Sequence, residues 1–211
     1  FCMTADKERP CTSFAVTSAK PSEGKSLTAA NIAISYAMLG KKVLLIDADM
    51  RKPTQRRLWR VEKPTGLCDF LAKISKLELD KVKDLPLWIV CTGTIPPNPS
   101  ELLSSERMKH FVEESAKVYD YIIIDTPPIN TVADAQIVST YVDGVVLVVK
   151  SGDTTDDELN EAIDAVRRAG GNLCGTVLND LNMKSVKYAY KYKYGGKYGY
   201  KYSYSESYEA R

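Results

Sequence analysis

The sequence has little histidine, no closely paired cysteines and no long apolar run, and each absence excludes a class of protein. Its one histidine, His110, lies in a helical pattern, which argues against Ser–His–Asp catalysis and against a metal site that needs several ligands together. The five cysteines are scattered and form no Cys-x-x-Cys pair, as expected for reduced thiols in a cytosol. No apolar run approaches the roughly 20 residues that span a bilayer. We therefore expect a cytoplasmic location.

The composition is that of one globular domain with an unusual end. The chain has 211 residues, of which 44% are hydrophobic and 27% charged, so wholesale disorder and coiled coil are excluded. The net charge of +2 hides an asymmetry, because the segment 184–211 has seven basic and two acidic residues and therefore carries +5. The same segment holds nine of the 13 tyrosines. A function must explain a nearly neutral body that carries a basic, tyrosine-rich tail.

The body alternates short apolar runs with helical patterns. Strands are predicted over 13–18, 43–47, 87–91, 121–125, 144–150 and 173–178, and helices over 26–39, 67–73, 105–118, 134–141 and 155–169. The proline-rich stretch 94–100 is predicted to be a loop, and 48–60 a polar segment. Strands that are apolar on both faces and alternate with helices indicate an α/β fold, with a mostly parallel sheet and helices on both faces.

Three regions follow from this pattern. Residues 1–12 form a lead-in, residues 13–182 form an α/β domain that contains a candidate P-loop at residues 19–26, and residues 183–211 form the tyrosine-rich C-terminal tail. The tail consists largely of Lys, Tyr, Gly and Ser. Such a composition cannot bury a core, so we expect the tail to be disordered.

A phosphate-binding loop is predicted between the first strand and the first helix. Residues 19–26, Ala-Lys-Pro-Ser-Glu-Gly-Lys-Ser, fit the Walker A pattern with Ala in the first glycine position. The backbone N–H groups of such a loop surround nucleotide phosphates, and the helix dipole favours their charge. Lys25 can reach the β- and γ-phosphates, and the hydroxyl of Ser26 can bind Mg²⁺.

Carboxylates follow two of the predicted strands. Asp47 and Asp49 come at the end of the strand 43–47, and Asp125 ends the strand 121–125. Ligands of parallel sheets bind at this edge. Asp125 therefore suits a Walker B role, in which it holds Mg²⁺ together with Ser26. One of the other two carboxylates can accept a proton from an attacking hydroxyl.

Together these residues resemble the cytoplasmic kinase domain of the bacterial tyrosine kinases (BY-kinases), particularly the stand-alone forms of capsule and exopolysaccharide export. The resemblance covers roughly residues 13–211 and rests on features in the family's order. These are the Walker A loop, Asp47-x-Asp49-x-Arg51 (the Walker A′ motif), Asp125-Thr-Pro-Pro, the segment that begins Gly93-Thr-Ile-Pro-Pro and the tyrosine-rich tail.

The resemblance implies an ATP:protein-tyrosine phosphotransferase that uses ATP and Mg²⁺. It places Lys25, Asp47, Asp49 and Arg51 in catalysis, with Asp47 as the preferred base and Asp49 as its rival. Arg51 would hold the A′ loop or approach phosphate. Mg²⁺ would be bound by Ser26, Asp47 and Asp125. The nucleotide would contact Asn179, which corresponds to an adenine contact of related ATPases, and the loop residues Ala19, Lys20, Pro21, Ser22, Glu23, Gly24, Lys25, Ser26 and Leu27.

Lys20 falls at the position of the signature lysine of partitioning and division-site ATPases, which resemble BY-kinases in fold. Those proteins have two glycines where this chain has Pro21 and Ser22. We therefore interpret Lys20 as a basic residue of the loop.

The resemblance also assigns the tail as substrate, phosphorylated in cis or, as the family favours, in trans. The acceptors would be Tyr188, Tyr190, Tyr192, Tyr194, Tyr198, Tyr200, Tyr202, Tyr204 and Tyr208. The implied partners are a membrane-protein activator, which would recruit the chain to the inner face of the membrane, and further copies in a homo-oligomeric ring. The family's ring-forming Glu/Arg-rich helix is not matched by Lys7-Glu8-Arg9, so ring formation stays open or depends on residues upstream of Phe1.

One alternative function has a basis in the sequence. The chain could be a switch ATPase of the ParA/MinD type, whose basic Lys/Tyr tail grips nucleic acid or a membrane. Nine tyrosines without tryptophan or an arginine-rich pattern make nucleic acid an unlikely partner.

Overall fold

A seven-stranded sheet forms the centre of the protein in a computed structural model, which describes residues 13–181. The strands are β1 (Ser13–Ser18), β2 (Val43–Asp47), β3 (Asp80–Lys81), β4 (Leu87–Val90), β5 (Tyr121–Asp125), β6 (Gly144–Lys150) and β7 (Leu173–Asn179). Their order across the sheet is β3-β4-β2-β5-β1-β6-β7. All strand pairs are parallel except that of the two-residue β3 with β4. The predicted α/β class is confirmed.

Seven helices connect the strands within the described residues. They are α1 (Lys25–Met38), α2 (Gln55–Trp59), α3 (Leu67–Leu71), α4 (Pro99–Ser104), α5 (Glu106–Ala116), α6 (Asp134–Ser139) and α7 (Asp156–Arg168). The long α1 packs on one face of the sheet through a row of buried alanines, whose small side chains allow a close approach. Residues of α3, α5, α6 and α7 belong to a second apolar cluster. Helices thus cover both faces, as the buried strands require.

The two sequence segments without a predicted element contain short helices. The stretch 94–100 was expected to be loop, which is wrong for its last two residues, because α4 begins at Pro99. Proline is well suited to the first helical position, where its fixed φ fits the helix and no N–H partner is needed. The polar segment after β2 contains α2, and the two-residue β3 precedes β4.

Topology brings three connections to one edge of the sheet. β1 lies between β5 and β6, and β5 also pairs with β2. Because these strands are parallel, the loops after β1, β2 and β5 leave the sheet at the same end. No helix in the described range 13–181 has the length and apolar character needed to cross a bilayer.

Candidate active site

Two carboxylates lie side by side where β2 and β5 end. Asp47 and Asp125 are partners in the parallel register, and neither side chain is exposed to solvent. Two ionised carboxylates this close repel each other, and burial adds a desolvation cost. Such a pair requires cations or hydrogen-bond donors around it, and the neighbouring loops supply them.

The loop after β1 is held in shape by bonds to Thr154, which follows β6, and to Asn179, which ends β7. Gly24 adopts a left-handed conformation with φ of 89°, and a Cβ there would come within 2.1 Å of the amide nitrogen of Asn179. The same nitrogen donates a hydrogen bond of 2.9 Å to the carbonyl of Glu23. The buried carboxylate of Glu23 accepts from the backbone N–H of Lys20 and from the hydroxyl of Thr154. Glycine at position 24 is therefore required by both space and backbone.

Lys25, at the start of α1, extends its side chain towards the cluster of aspartates. Its Nζ lies 2.8 Å from Asp49 Oδ2 and 3.2 Å from Asp125 Oδ1, and it bonds the hydroxyl of Ser26. Burial lowers the pKa of Lys25, but Asp125 and Asp49 outweigh burial, so the pKa is raised above its ordinary value. The lysine is thus a firmly charged partner of two aspartates.

Asp47 keeps one oxygen without a partner. Its Oδ2 accepts from the backbone N–H groups of Thr54 and Gln55 at 3.2 and 2.9 Å, whereas its Oδ1 is buried and has no hydrogen-bond partner among the described residues. Burial, followed by the charge of Asp125, raises the pKa of Asp47 to about 8. Burial also raises the pKa of Asp125, although Lys25 opposes it. A buried carboxylate oxygen without a protein partner at this edge is suited to bind a cation.

Gln55 organises the site, although no motif or spacing in the sequence points to it. The side chain is fully buried and donates to Asp125 Oδ2 at 2.8 Å and to the carbonyl of Ser26 at 3.0 Å. Its oxygen accepts from the indole of Trp59, four residues along α2. Gln55 therefore connects the phosphate loop with both strand-end aspartates. The signal that could have identified it is the short helix α2, whose five residues Gln-Arg-Arg-Leu-Trp are too few to show a helical apolar period.

Arg51 is held by a second residue that the sequence did not suggest. Its Nε lies 2.8 Å from the fully buried Asp134 at the start of α6, and Asp134 also accepts from the hydroxyl of Ser100 at 2.6 Å. Asp49 accepts from the backbone N–H groups of Arg51 and Lys52. These bonds fix the segment after β2 against α4 and α6.

These elements surround a cleft of about 420 Å³, here called the phosphate cleft. Several of the predicted nucleotide and catalytic residues line it, namely Pro21, Ser22, Gly24, Lys25, Ser26, Leu27, Asp49 and Arg51. The prolines after Asp125, together with Lys52, Thr54, Arg57, Thr131 and Val132, complete the wall. The structure thus brings most of the expected residues together around one space.

Six of the residues predicted for the site do not line the phosphate cleft. Ala19 and Glu23 are buried behind the loop, and Asp47 and Asp125 lie beneath the cleft. Lys20 instead points to α7, where its Nζ lies 3.1 Å from Glu158. Asn179 supports the loop and lines a separate cavity of about 560 Å³ beside α1 and β7. The nine tail tyrosines lie outside the described residues.

The side chains that could bind a metal here suit Mg²⁺ better than an ion whose ligands all come from the protein. Residues 13–181 contain no group of three or more His, Cys, Asp or Glu side chains that could hold an ion. Two carboxylates, one with an unpartnered oxygen, and the hydroxyl of Ser26 nevertheless lie together. Mg²⁺ characteristically takes one or two carboxylates and completes its shell with water and substrate phosphates. Asp47, Asp125 and Ser26 would hold it.

The fold, the phosphate loop and the paired strand-end carboxylates define a P-loop nucleotide-binding protein. The family model for the AAA domain matches residues 12–170. The chain is 44% identical to the tyrosine-protein kinase YwqD of Bacillus subtilis over 189 residues, which cover 88% of this chain and 80% of that protein. The kinase domain of the Escherichia coli tyrosine kinase ETK has a TM-score of 0.81 and 31% identity, covering 94% of this chain and 75% of that one. The chain belongs to the family of bacterial tyrosine kinases.

A more distant likeness shows only the shared fold. The cell division ATPase MinD of Pyrococcus furiosus has a TM-score of 0.67 at 20% identity and covers 79% of this chain and 71% of its own. The BY-kinase resemblance of the sequence is therefore confirmed, and the comparisons favour it over the MinD-like alternative.

Proposed function

We propose that the chain is an ATP-dependent protein-tyrosine kinase that phosphorylates its own tyrosine-rich tail, in trans between copies. The observation that carries the proposal is the convergence of the phosphate loop with two aspartate-bearing strand ends on one cleft. A tyrosine hydroxyl is a poor nucleophile at its ordinary pKa of ~10, so transfer requires positioning, charge neutralisation and a base. The cleft contains a candidate for each requirement.

The residues of the loop bind the nucleotide. Backbone N–H groups between Pro21 and Ser26 surround the phosphates, and Lys25 contacts the β- and γ-phosphates. To do so, Lys25 gives up its ion pairs with Asp49 and Asp125. Mg²⁺, when bound by Asp47, Asp125 and Ser26, neutralises charge on the phosphates. Nucleotide binding therefore exchanges one set of lysine contacts for another.

The base takes the proton from the tyrosine hydroxyl. The tyrosine oxygen forms a bond to the γ-phosphorus, and the bond between the γ-phosphorus and the oxygen of the β-phosphate breaks. Asp47 is the preferred base, because its Oδ1 has no hydrogen-bond partner among the described residues and can accept a proton. Asp49 is the rival, since it lines the cleft whereas Asp47 lies beneath it. The products are phosphotyrosine and ADP.

The tail is the substrate that the sequence itself offers. Tyr188 lies nine residues beyond Asn179, an extended reach of about 30–32 Å, so length permits attack in cis as well as in trans. The family resemblance supports trans transfer, control of capsule or exopolysaccharide synthesis and export, a membrane-protein activator and a homo-oligomeric ring. A cytoplasmic location at the inner face of the membrane follows from that activator.

A mixing experiment tests both the activity and its direction. A donor chain carries Phe in place of all nine tail tyrosines, and a tagged acceptor chain carries Lys25→Met. After incubation with ATP, Mg²⁺ and the cytoplasmic part of the activator, mass spectrometry should find phosphate on the acceptor's tail tyrosines. Phosphate on the wild-type tail, but none on the acceptor, would contradict trans transfer. An unmodified wild-type tail in the activated sample would refute the kinase activity.

A further inference from the structure

The segment that follows the A′ motif carries a concentrated positive charge. Residues 51–60 include five basic residues and no acidic one. Arg51 is paired with Asp134, but the other four, which are Lys52, Arg56, Arg57 and Arg60, are exposed and have no carboxylate partner within the described residues. Elsewhere the exposed Lys117 and Arg167 and the half-buried Lys20, Lys63, Lys109 and Lys150 pair with acids. The charge after β2 is thus concentrated in one short segment and is not compensated by nearby carboxylates.

Two of these arginines line a cavity next to the phosphate cleft. The cavity, here called the arginine cavity, has a volume of about 450 Å³ and is lined by Pro53, Arg56, Arg57, Val61, Thr92, Gly93 and Ile95. Arg57 lines both this cavity and the phosphate cleft. An anion bound in the arginine cavity would therefore be a neighbour of the transferring phosphate.

The two arginines differ in how they are held. Arg56 donates to the backbone carbonyls of Val61 and Glu62 at 3.2 and 3.0 Å, which fixes its position at the cavity wall. The guanidinium of Arg57 makes no hydrogen bond or ion pair with any described residue, so its donors are available to a ligand. Arginine clusters of this kind recognise phosphate through paired, charge-assisted hydrogen bonds. Arg56, whose position is fixed, and Arg57, whose donors are available, together fit a single phosphate group.

The rest of the lining fits an aromatic ring. Pro53, Val61 and Ile95 present apolar surface, and the side chain of Ile95 is 59% exposed with no apolar cover. A simple inorganic anion would leave this surface in water, whereas the ring of a phosphotyrosine would cover it. Charge and shape therefore favour a phosphotyrosine over a carboxylate or a bare phosphate.

We propose that the arginine cavity is a binding subsite for phosphotyrosine, and that its ligand is the phosphorylated tail of a second copy. This inference rests on the proposed tail phosphorylation for its ligand. The unmodified tail carries +5 and is repelled by residues 51–60. Each phosphate adds about −1.5 to −2, so full modification of nine sites changes the tail charge to about −9 to −13. Each phosphotyrosine is therefore a local anion that residues 51–60 attract, on a segment whose net charge they otherwise repel.

The consequence is that an early phosphotyrosine keeps the tail at the enzyme. The tyrosines at 188, 190, 192 and 194 recur at every second position, so a phosphotyrosine held in the arginine cavity keeps further acceptors close to the cleft. The first transfer then accelerates later ones on the same tail. This is a property of the substrate-binding surface, separate from the chemistry of the cleft.

Binding of synthetic peptides to the full, phosphatase-treated chain tests the proposal without requiring kinase activity. The probe is a fluorescent peptide of residues 186–200 with one phosphate on Tyr192, compared with the unphosphorylated peptide by anisotropy. Saturating ADP and Mg²⁺ are present so that the phosphate cleft is filled. We expect the phosphopeptide to bind at least tenfold more tightly, and Arg57→Ala to remove about tenfold of that affinity. Loss of phosphopeptide binding upon addition of ADP would place the phosphate in the cleft and overturn the proposal.

The control is Arg168→Ala, which removes the same charge from the exposed last turn of α7. It should change affinity less than twofold, and a loss equal to that of Arg57→Ala would reduce the effect to overall charge and refute the subsite. A phosphoserine peptide should bind several-fold more weakly than the phosphotyrosine peptide. Equal affinities, or equally effective competition by inorganic phosphate, would contradict recognition of the ring. Because none of these measurements depends on catalysis, an inactive tail kinase and an absent subsite give different results.

Discussion

The loop after β1 and the segment after β2 line the same cleft, but their side chains are held in different ways. The loop is fixed by a left-handed glycine and by bonds from Asn179 and Thr154, which lie outside the cleft. The segment after β2 is fixed by charges, with Asp49 paired to Lys25 and Arg51 paired to Asp134. The loop thus supplies a preformed shape, whereas the segment supplies charges whose partners can be exchanged.

Lys25 is the residue that joins the two regions. It belongs to the loop, but all its ion pairs are with aspartates at the ends of β2 and β5 or just beyond. A nucleotide that binds this lysine would change the electrostatic environment of all three aspartates, namely Asp47, Asp49 and Asp125. Substitutions that break this link should therefore have larger effects than those that alter either region alone.

The largest expected effect is that of Lys25→Met. It removes the contact to the β- and γ-phosphates, and we expect tail phosphorylation to fall by about a thousandfold. The fold should persist, because the carboxylates left behind can bind protons instead. Quantitative mass spectrometry of the tail and circular dichroism measure the two outcomes. Lys41→Met, which changes an exposed lysine after α1, is the control and should leave the rate within twofold. Retained activity in Lys25→Met would refute the phosphate role.

The next largest effects distinguish the roles of the two aspartates of the A′ motif, Asp47 and Asp49. Asp47→Asn should lower the phosphotransfer rate about a hundredfold, because it removes both the preferred base and a metal ligand. Asp49→Asn should leave the rate at saturating ATP within about tenfold and lower the Michaelis constant for ATP, since the carboxylate that it removes competes with the nucleotide for Lys25. Rates at saturating and limiting ATP distinguish the two. The reverse order of effects would assign the base to Asp49.

The sequence predicted the charged members of the site but not the neutral residues that hold them. Lys25, Asp47 and Asp125 were identifiable because a phosphate loop and acidic strand ends follow general rules of parallel sheets. Gln55 was not, since its role depends on α2, a five-residue helix that is too short to show an apolar period. Long buried strands were likewise predicted closely, because their apolar runs have clear ends.

Asp134 is another residue whose role in the site could not be predicted from the sequence. The sequence predicted a helix beginning at this residue, and an acidic residue in a first turn has an adequate local explanation in the helix dipole. Its partner Arg51 lies 83 residues earlier, and no spacing rule connects residues so far apart. Local patterns therefore give the elements and the motifs, whereas the contacts between motifs require the three-dimensional fold.

Gln55→Leu tests whether the loop and the segment are coupled through a neutral side chain. The change leaves Asp125 Oδ2 and the carbonyl of Ser26 without their donor. We expect about a tenfold lower rate and a higher Mg²⁺ concentration for half-maximal activity, as for other residues that orient metal ligands. A merely structural role would lower stability without changing the Mg²⁺ dependence. Gln136→Leu on α6, whose side chain makes no hydrogen bond with described residues, is the matched control.

The smallest expected effect concerns stability and follows from the raised pKa of Asp47. The pKa is about 8 in the folded chain against an ordinary value of 3.8, so between these values the folded state retains a proton that the unfolded state has released. The free energy of unfolding of the nucleotide-free chain should therefore decrease as pH rises from about 4 to 8, by at most about 1.4 kcal/mol per pH unit from this group. Asp47→Asn, which cannot ionise, should flatten the dependence in urea denaturation series at pH 5 and 8. Asp157→Asn, at an exposed position of α7, should not, and an equal slope in Asp47→Asn and the wild type would show that this carboxyl does not hold the proton.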